Sequence, residues 1–138
     1  MDITDSLVET LVNEAYTARN RAHAPYSGFA VGAALADEHG DVYVGCNVEN
    51  ASYGATICAE RGAVISAIAR TGKPTFRALA VVTNDDPPAV PCALCLQVLA
   101  EFCSPEFPIF LATLDGTVHR TLKLRELLPI PFTSFRSS

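Results

Sequence analysis

Leu7, Leu11, Ala15, Ala18 and Ala22 recur every three or four residues, which predicts an amphipathic helix from Asp5 to Ala22 with Asp5 or Ser6 as its N-cap. Ala24-Pro25-Tyr26-Ser27-Gly28-Phe29 breaks that period. The small residues Ala30 to Leu35 then predict a strand that a helix can approach closely. Asp37 to Asp41 has the composition of a hairpin turn, so Val42 to Cys46 is expected to return antiparallel to the first strand. Asn47 to Gly54 carries neither period and reads as a loop, well placed to meet a ligand where it runs into the next helix.

That second helix is predicted over Cys58 to Ala69, with Ala63, Val64, Ala67 and Ile68 on one side and Gly72 as its stop signal. Phe76 to Thr83 holds a continuous apolar run, the pattern of a central strand covered on both faces. Asn84-Asp85-Asp86-Pro87-Pro88 releases the chain at that strand's C-terminal edge, where ligands gather in open α/β sheets. Pro91 to Phe102 predicts a third helix with Cys92 and Cys95 in its first turn. Ile109 to Ala112 and Thr117 to Thr121 form a second hairpin about Asp115-Gly116, and a brief helix from Lys123 to Leu128 is stopped by Pro129. The polar tail from Thr133 is expected to be loose.

Composition narrows the function classes. At 138 residues the chain fits a single domain, residues 1–138. With 49% apolar and only 18% charged residues, the surface is expected to be more apolar than a monomer can cover, which favours a homo-oligomer. A net charge of −5 without a Lys/Arg cluster excludes a nucleic-acid polymer and favours a small ligand. The acidic start and the lack of a long apolar run exclude a membrane partner and point to a cytoplasmic protein. Five cysteines are an odd number in a chain that needs no staples, so metal binding is preferred to a disulfide framework.

Cys58, two residues before Glu60, and the Cys92-Ala93-Leu94-Cys95 pair supply three thiols and one carboxylate. Structural zinc is closed by four protein ligands, whereas a catalytic site keeps a position for water. Cys46 leaves a fourth ligand open; Cys103, His23, His39 and His119 read as ordinary thiol and surface histidines. A lone Cys-x-x-Cys is weak, but Cys-x-Glu followed by Pro-Cys-x-x-Cys is the pattern of the zinc-dependent deaminases. Three thiolates and Zn²⁺ sum to one negative charge, so a positive partner is needed: Arg61 is adjacent, and two helix N-termini would add their dipoles.

Ala24 to Leu35, Asn47 to Tyr53, Cys58-Ala59-Glu60-Arg61, Pro91 to Phe102 and Leu127-Leu128-Pro129 together resemble the small cytidine deaminases of the free-nucleoside class. The resemblance implies an α/β fold, a three-layer αβα sandwich around a mixed five-stranded sheet, assembled as a homotetramer with shared active sites. It implies one Zn²⁺ per subunit on Cys58, Cys92 and Cys95, with Glu60 as proton shuttle and Arg61 offsetting the thiolates. Phe29 then packs on the base, Asn47 and Glu49 meet ribose hydroxyls, and Ala59, Tyr53 and Phe132 complete the substrate surroundings. Two positions depart from the family's usual Pro-Cys-Gly-x-Cys-Arg-Gln, namely Ala93 and Leu96. The implied activity is hydrolytic deamination of cytidine and 2'-deoxycytidine to the uridines with release of ammonia, a step of pyrimidine salvage. The alternatives are a deaminase of a modified aminopyrimidine nucleoside, such as a nucleoside antibiotic, and a zinc-stabilised non-catalytic relative, against which Glu60, Asn47 and Glu49 weigh.

Overall fold

The computed structural model describes residues 3–85 and 87–133. Met1 and Asp2 of the acidic start, Asp86 and the tail beyond Thr133 lie outside the described residues. In chain order the elements are α1 (Asp5–Arg19), β1 (Gly32–Asp37), β2 (Val42–Cys46), a 3-10 turn (Tyr53–Ala55), α2 (Ala59–Thr71), β3 (Phe76–Val82), α3 (Ala93–Phe102), β4 (Pro108–Ala112), β5 (Val118–Lys123) and α4 (Leu124–Leu127). No helix among the described residues is long and apolar enough to cross a membrane.

The five strands form one mixed sheet in the order β2-β1-β3-β4-β5. β1 pairs antiparallel with both β2 and β3, β3 runs parallel to β4, and β4 and β5 close the second hairpin. Side chains alternate across the sheet, so each strand feeds two cores. Ala34, Ala36, Ala78, Ala80 and Val82 meet Leu11, Val12 and Ala15 of α1 on one face. Leu35, Leu79, Val81, Ile109 and Leu111 meet Ala63, Val64, Leu96 and Leu99 of α2 and α3 on the other. The result is the expected α/β arrangement of helices on both faces, and each large apolar side chain so buried contributes about 1.5–3 kcal/mol relative to leaving it exposed.

Close approach needs missing side chains. A Cβ on Gly32 would collide with the Ala15 carbonyl and lie 2.6 Å from Arg19 N, and one on Gly45 would lie 2.5 Å from Ala63 N. The glycines therefore set how near α1 and α2 come to the sheet. Gly72 closes α2 with φ +89°, the backbone region where a side chain is strained.

Both boundaries of α1 and both of β1 differ from expectation. The N-cap of α1 is Thr4, whose hydroxyl accepts from Leu7 N at 3.1 Å, rather than Asp5 or Ser6, and the helix ends at Arg19 rather than Ala22. β1 begins two residues late because Val31 N is bonded to the Asn47 side chain at 2.9 Å. It runs on to Asp37, whose buried carboxylate takes His39 N, Asp41 N and the Tyr43 hydroxyl and so builds the hairpin turn from inside.

Candidate active site

Two helix N-termini meet beside the C-terminal end of β3. Cys58 is the N-cap of α2 and Cys92 the N-cap of α3, each one residue earlier than the first-turn position expected, while Cys95 stands inside the first turn of α3. Their carbonyls accept the first helix bonds, from Gly62 N and Leu96 N, both at 3.0 Å. No thiol makes a capping bond, so the sulfurs are left to face one another.

Cys58 Sγ lies 3.7 Å from Cys92 Sγ, Cys92 Sγ lies 3.4 Å from Cys95 Sγ, and all three fall within 4.8 Å. Tetrahedral zinc with bonds of about 2.3 Å holds its sulfurs roughly 3.8 Å apart, so the donor set fits that ion. All five cysteines are free thiols, and Cys46 is not part of the cluster. Three ligands, not four, are therefore brought together among the described residues.

The site's electrostatics follow from burial and the helix ends. The Cys58 thiol is pulled down to about 5, first by the hydrogen bond from Cys95 and then by Arg61 and Cys92. The same pairing, together with burial, pushes Cys95 up. Arg61 Nη2 donates to Cys58 Sγ at 3.5 Å and to the Thr56 carbonyl at 3.4 Å, and that sulfur contact holds the guanidinium above its usual pKa. Glu60, on the first turn of α2, is only 5% exposed, and burial pushes its carboxyl up to about 7. Cys103 lies apart from the cluster, and burial alone raises its thiol to about 12, which makes it an inert packing group.

Cys58, Ala59, Glu60 and Cys92 open into a cavity of about 260 Å³ whose other walls include Phe29, Asn47, Glu49, Val81 and Thr83. It shares Ser27, Glu49 and Thr56 with an outer cavity of about 300 Å³ that Tyr26 and Tyr53 flank, their rings edge to face at 5.8 Å. Among the described residues, neither cavity is lined by a lysine or an arginine. A larger cavity of about 480 Å³ lies on the opposite face between α1 and β5 and holds no thiol, so chemistry and not size selects the site.

Asn47 and Glu49 are held by backbone pairing that the bare sequence pattern did not reveal. Val48 exchanges two bonds with Ile57, at 2.9 and 3.0 Å, while His23 N reaches Asn47 O at 3.0 Å and Glu49 N reaches His23 O at 2.8 Å. The two flanking side chains then grip the Phe29 segment. Asn47 Nδ2 donates to Phe29 O at 2.7 Å, and Glu49 Oε1 accepts from Tyr26 N at 2.9 Å and Ser27 N at 3.1 Å. Of the expected substrate contacts, Phe132 alone is not among those lining either cavity; its backbone is held by the Gln97 side chain, with bonds of 2.6 and 3.2 Å. Ser27, Thr56 and Thr83 line the site unforeseen, because lone hydroxyls in turns and at strand ends carry no spacing signal.

Comparison with known proteins matches residues 5–111 to the model of the cytidine and deoxycytidylate deaminase zinc-binding region. A cytidine deaminase of Sporosarcina psychrophila is 46% identical over 126 residues, 91% of each chain, and one from Mycobacterium tuberculosis is 46% identical over 111 residues, 80% of this chain and 78% of that one. The crystal structure of cytidine deaminase from Burkholderia pseudomallei superimposes with a TM-score of 0.85 at 44% identity, covering 94% of this chain and all of that one.

Proposed function

The chain belongs to the cytidine deaminase family of zinc-dependent deaminases, and we propose that it hydrolyses cytidine and 2'-deoxycytidine to the corresponding uridines and ammonia. The observation that carries this reading is the buried Glu60 carboxyl beside three convergent thiols at the end of a cavity sized for a pyrimidine. Cys58, Cys92 and Cys95 hold the zinc, which when bound supplies Lewis acidity toward a water molecule.

Glu60 does the proton work. A carboxyl whose pKa is lifted toward neutrality can take a proton from the attacking water and deliver it to ring N3 and then to the departing amine. Phe29 offers a face to the base, and Asn47 and Glu49 offer polar atoms to the sugar hydroxyls. Among the described residues no lysine or arginine lines either cavity wall, which favours a free nucleoside over a 5'-phosphate. Exposed Ile65, Leu94 and Ile130, at 56%, 66% and 90%, support association into a homotetramer whose neighbours complete the sites around Tyr53 and Phe132. Five free thiols support a reducing, cytoplasmic setting.

The test is ultraviolet loss of cytidine absorbance by zinc-loaded protein beside the Glu60→Gln variant. The parent should turn over cytidine, and the variant should keep one zinc per chain yet lose turnover by at least about a hundredfold, the range of positioned proton transfer. Parental turnover in Glu60→Gln would defeat the assignment.

A further inference from the structure

We propose that Ser27 is a positioning residue for sugar recognition, acting through Glu49 and Phe29. The proposal rests on the reading of Glu49 as a contact of the nucleoside's sugar and extends it to Ser27, a residue that the spacing of candidate site residues did not single out.

The argument is a count of donors and acceptors. Glu49 offers roughly four lone-pair positions. Oε1 uses two of them on Tyr26 N and Ser27 N, and Oε2 accepts from the Ser27 hydroxyl. One acceptor position on Oε2 remains, at the boundary of the two cavities that both include Ser27 and Glu49. Ser27 has spent its only proton on Glu49, and its oxygen accepts from Phe29 N at 3.0 Å. It therefore has no proton left to donate to a ligand, and its role is to fix the carboxylate's rotation and the backbone that carries the Phe29 ring.

Asn47 completes the pattern. Its Oδ1 is bonded to Val31 N and one Nδ2 hydrogen to Phe29 O, which leaves one amide hydrogen. A remaining acceptor on Glu49 and a remaining donor on Asn47 are what one sugar hydroxyl, itself donor and acceptor, can satisfy. Without the Ser27 hydroxyl the carboxylate is tied at one oxygen only and can turn about that attachment, which blurs the position of the remaining lone pair. The Ser27 hydrogen bond is also the foremost influence holding the Glu49 carboxyl below its usual range.

The experiment compares wild type, Ser27→Ala and Ser27→Thr on cytidine, with 2',3'-dideoxycytidine as a competing ligand that lacks both ring hydroxyls. Ser27→Ala should raise KM for cytidine about tenfold, the size of one lost hydrogen bond to a charged group, with kcat moved far less. The inhibition constant of 2',3'-dideoxycytidine should rise much less, through the Phe29 segment alone, Ser27→Thr should restore most of the cytidine KM, and the acid limb of the KM profile in Ser27→Ala should move to higher pH. A residue that merely props the loop would weaken both ligands alike through Phe29, so equal losses overturn the proposal, as does an unchanged cytidine KM. Absence of cytidine turnover by zinc-loaded wild type defeats the deamination reading itself. Turnover with an unmoved ratio of the two ligands defeats the Ser27 assignment alone.

Discussion

Gly45→Ala is the substitution that couples sheet packing most directly to chemistry. Gly45 sits on β2 opposite Ala33 of β1, and the first turns of α2 lie across it, with the Gly62 site's Cβ position 3.5 Å from Gly45 Cα. A methyl group added at Gly45 would fall on the Ala59 carbonyl oxygen, 2.5 Å from Ala63 N and 2.9 Å from Gly62 C. All three are backbone atoms of one rigid helix, so no rotamer change relieves the clash. The helix must move by about 1 Å, and displacements of that size at a reacting group cost roughly a hundredfold in rate. Ala59 lies between Cys58 and Glu60, so the shift lands on a sulfur of the cluster and on the buried carboxyl together. Overpacking of this kind costs about 1–3 kcal/mol, which lowers Tm by roughly 3–10 °C in a chain of this size. The assay is threefold: thermal unfolding, bound zinc by elemental analysis, and kcat/KM on cytidine. The expected variant folds, melts lower, binds zinc less tightly and loses about two orders of magnitude in kcat/KM. Gly54→Ala serves as the stability control, since nothing lies within 4 Å of an added Cβ there. A Gly45→Ala protein with parental Tm, zinc content and kcat/KM would refute the claim that this glycine sets the height of α2.

Two further outcomes test the surroundings of the site. The Glu49 carboxyl is held below its usual range, so its folded-state grip on the Phe29 loop is fully present above about pH 4.3 and is lost only as pH falls through the depressed value; the KM for cytidine should be flat from neutrality to about pH 5, and a rise centred above that would contradict the arrangement. Thr4→Ala removes the hydroxyl that accepts from Leu7 N and should cost about 1 kcal/mol in denaturant unfolding with kcat/KM unchanged, because α1 packs on the face away from the thiols.

Much of this molecule could be read in its sequence where one residue's environment is set by its neighbours. Hydrophobic periods together with turn and proline signals located the four α-helices and the five strands, β2 from Val42 to Cys46 without error, and Gly72 as the stop of α2, while the 3-10 turn at Tyr53–Ala55 was not foreseen. The Cys58-x-Glu60 and Cys92-x-x-Cys95 spacings named the cluster that the fold draws together across a separation of 34 residues. What was hidden depends on partners distant in sequence. Nothing local says that β1 lies between β2 and β3, that Asn47 delays β1 by bonding Val31, or that Glu49 is tied to a serine 22 residues earlier.

The two departures from the family pattern resolve along the same line. Ala93 is the first residue of α3 and is exposed, so its extra methyl meets no packed neighbour that would displace Cys92 or Cys95. Leu96 is 5% exposed and belongs to the core shared by α2, α3 and the sheet, where it packs with Ala63, Val64 and Leu99. Its side chain contributes to holding α3 against the sheet, and so to the height at which Cys92 and Cys95 are presented. Among the described residues, the cation in hydrogen-bond contact with the cluster is then Arg61, whose Nε is buried without a partner while Nη2 reaches Cys58 and Thr56. With one guanidinium in contact, balancing the anionic cluster falls more heavily on the two helix N-termini, the feature that the positions of Cys58 and Cys92 as N-caps supply.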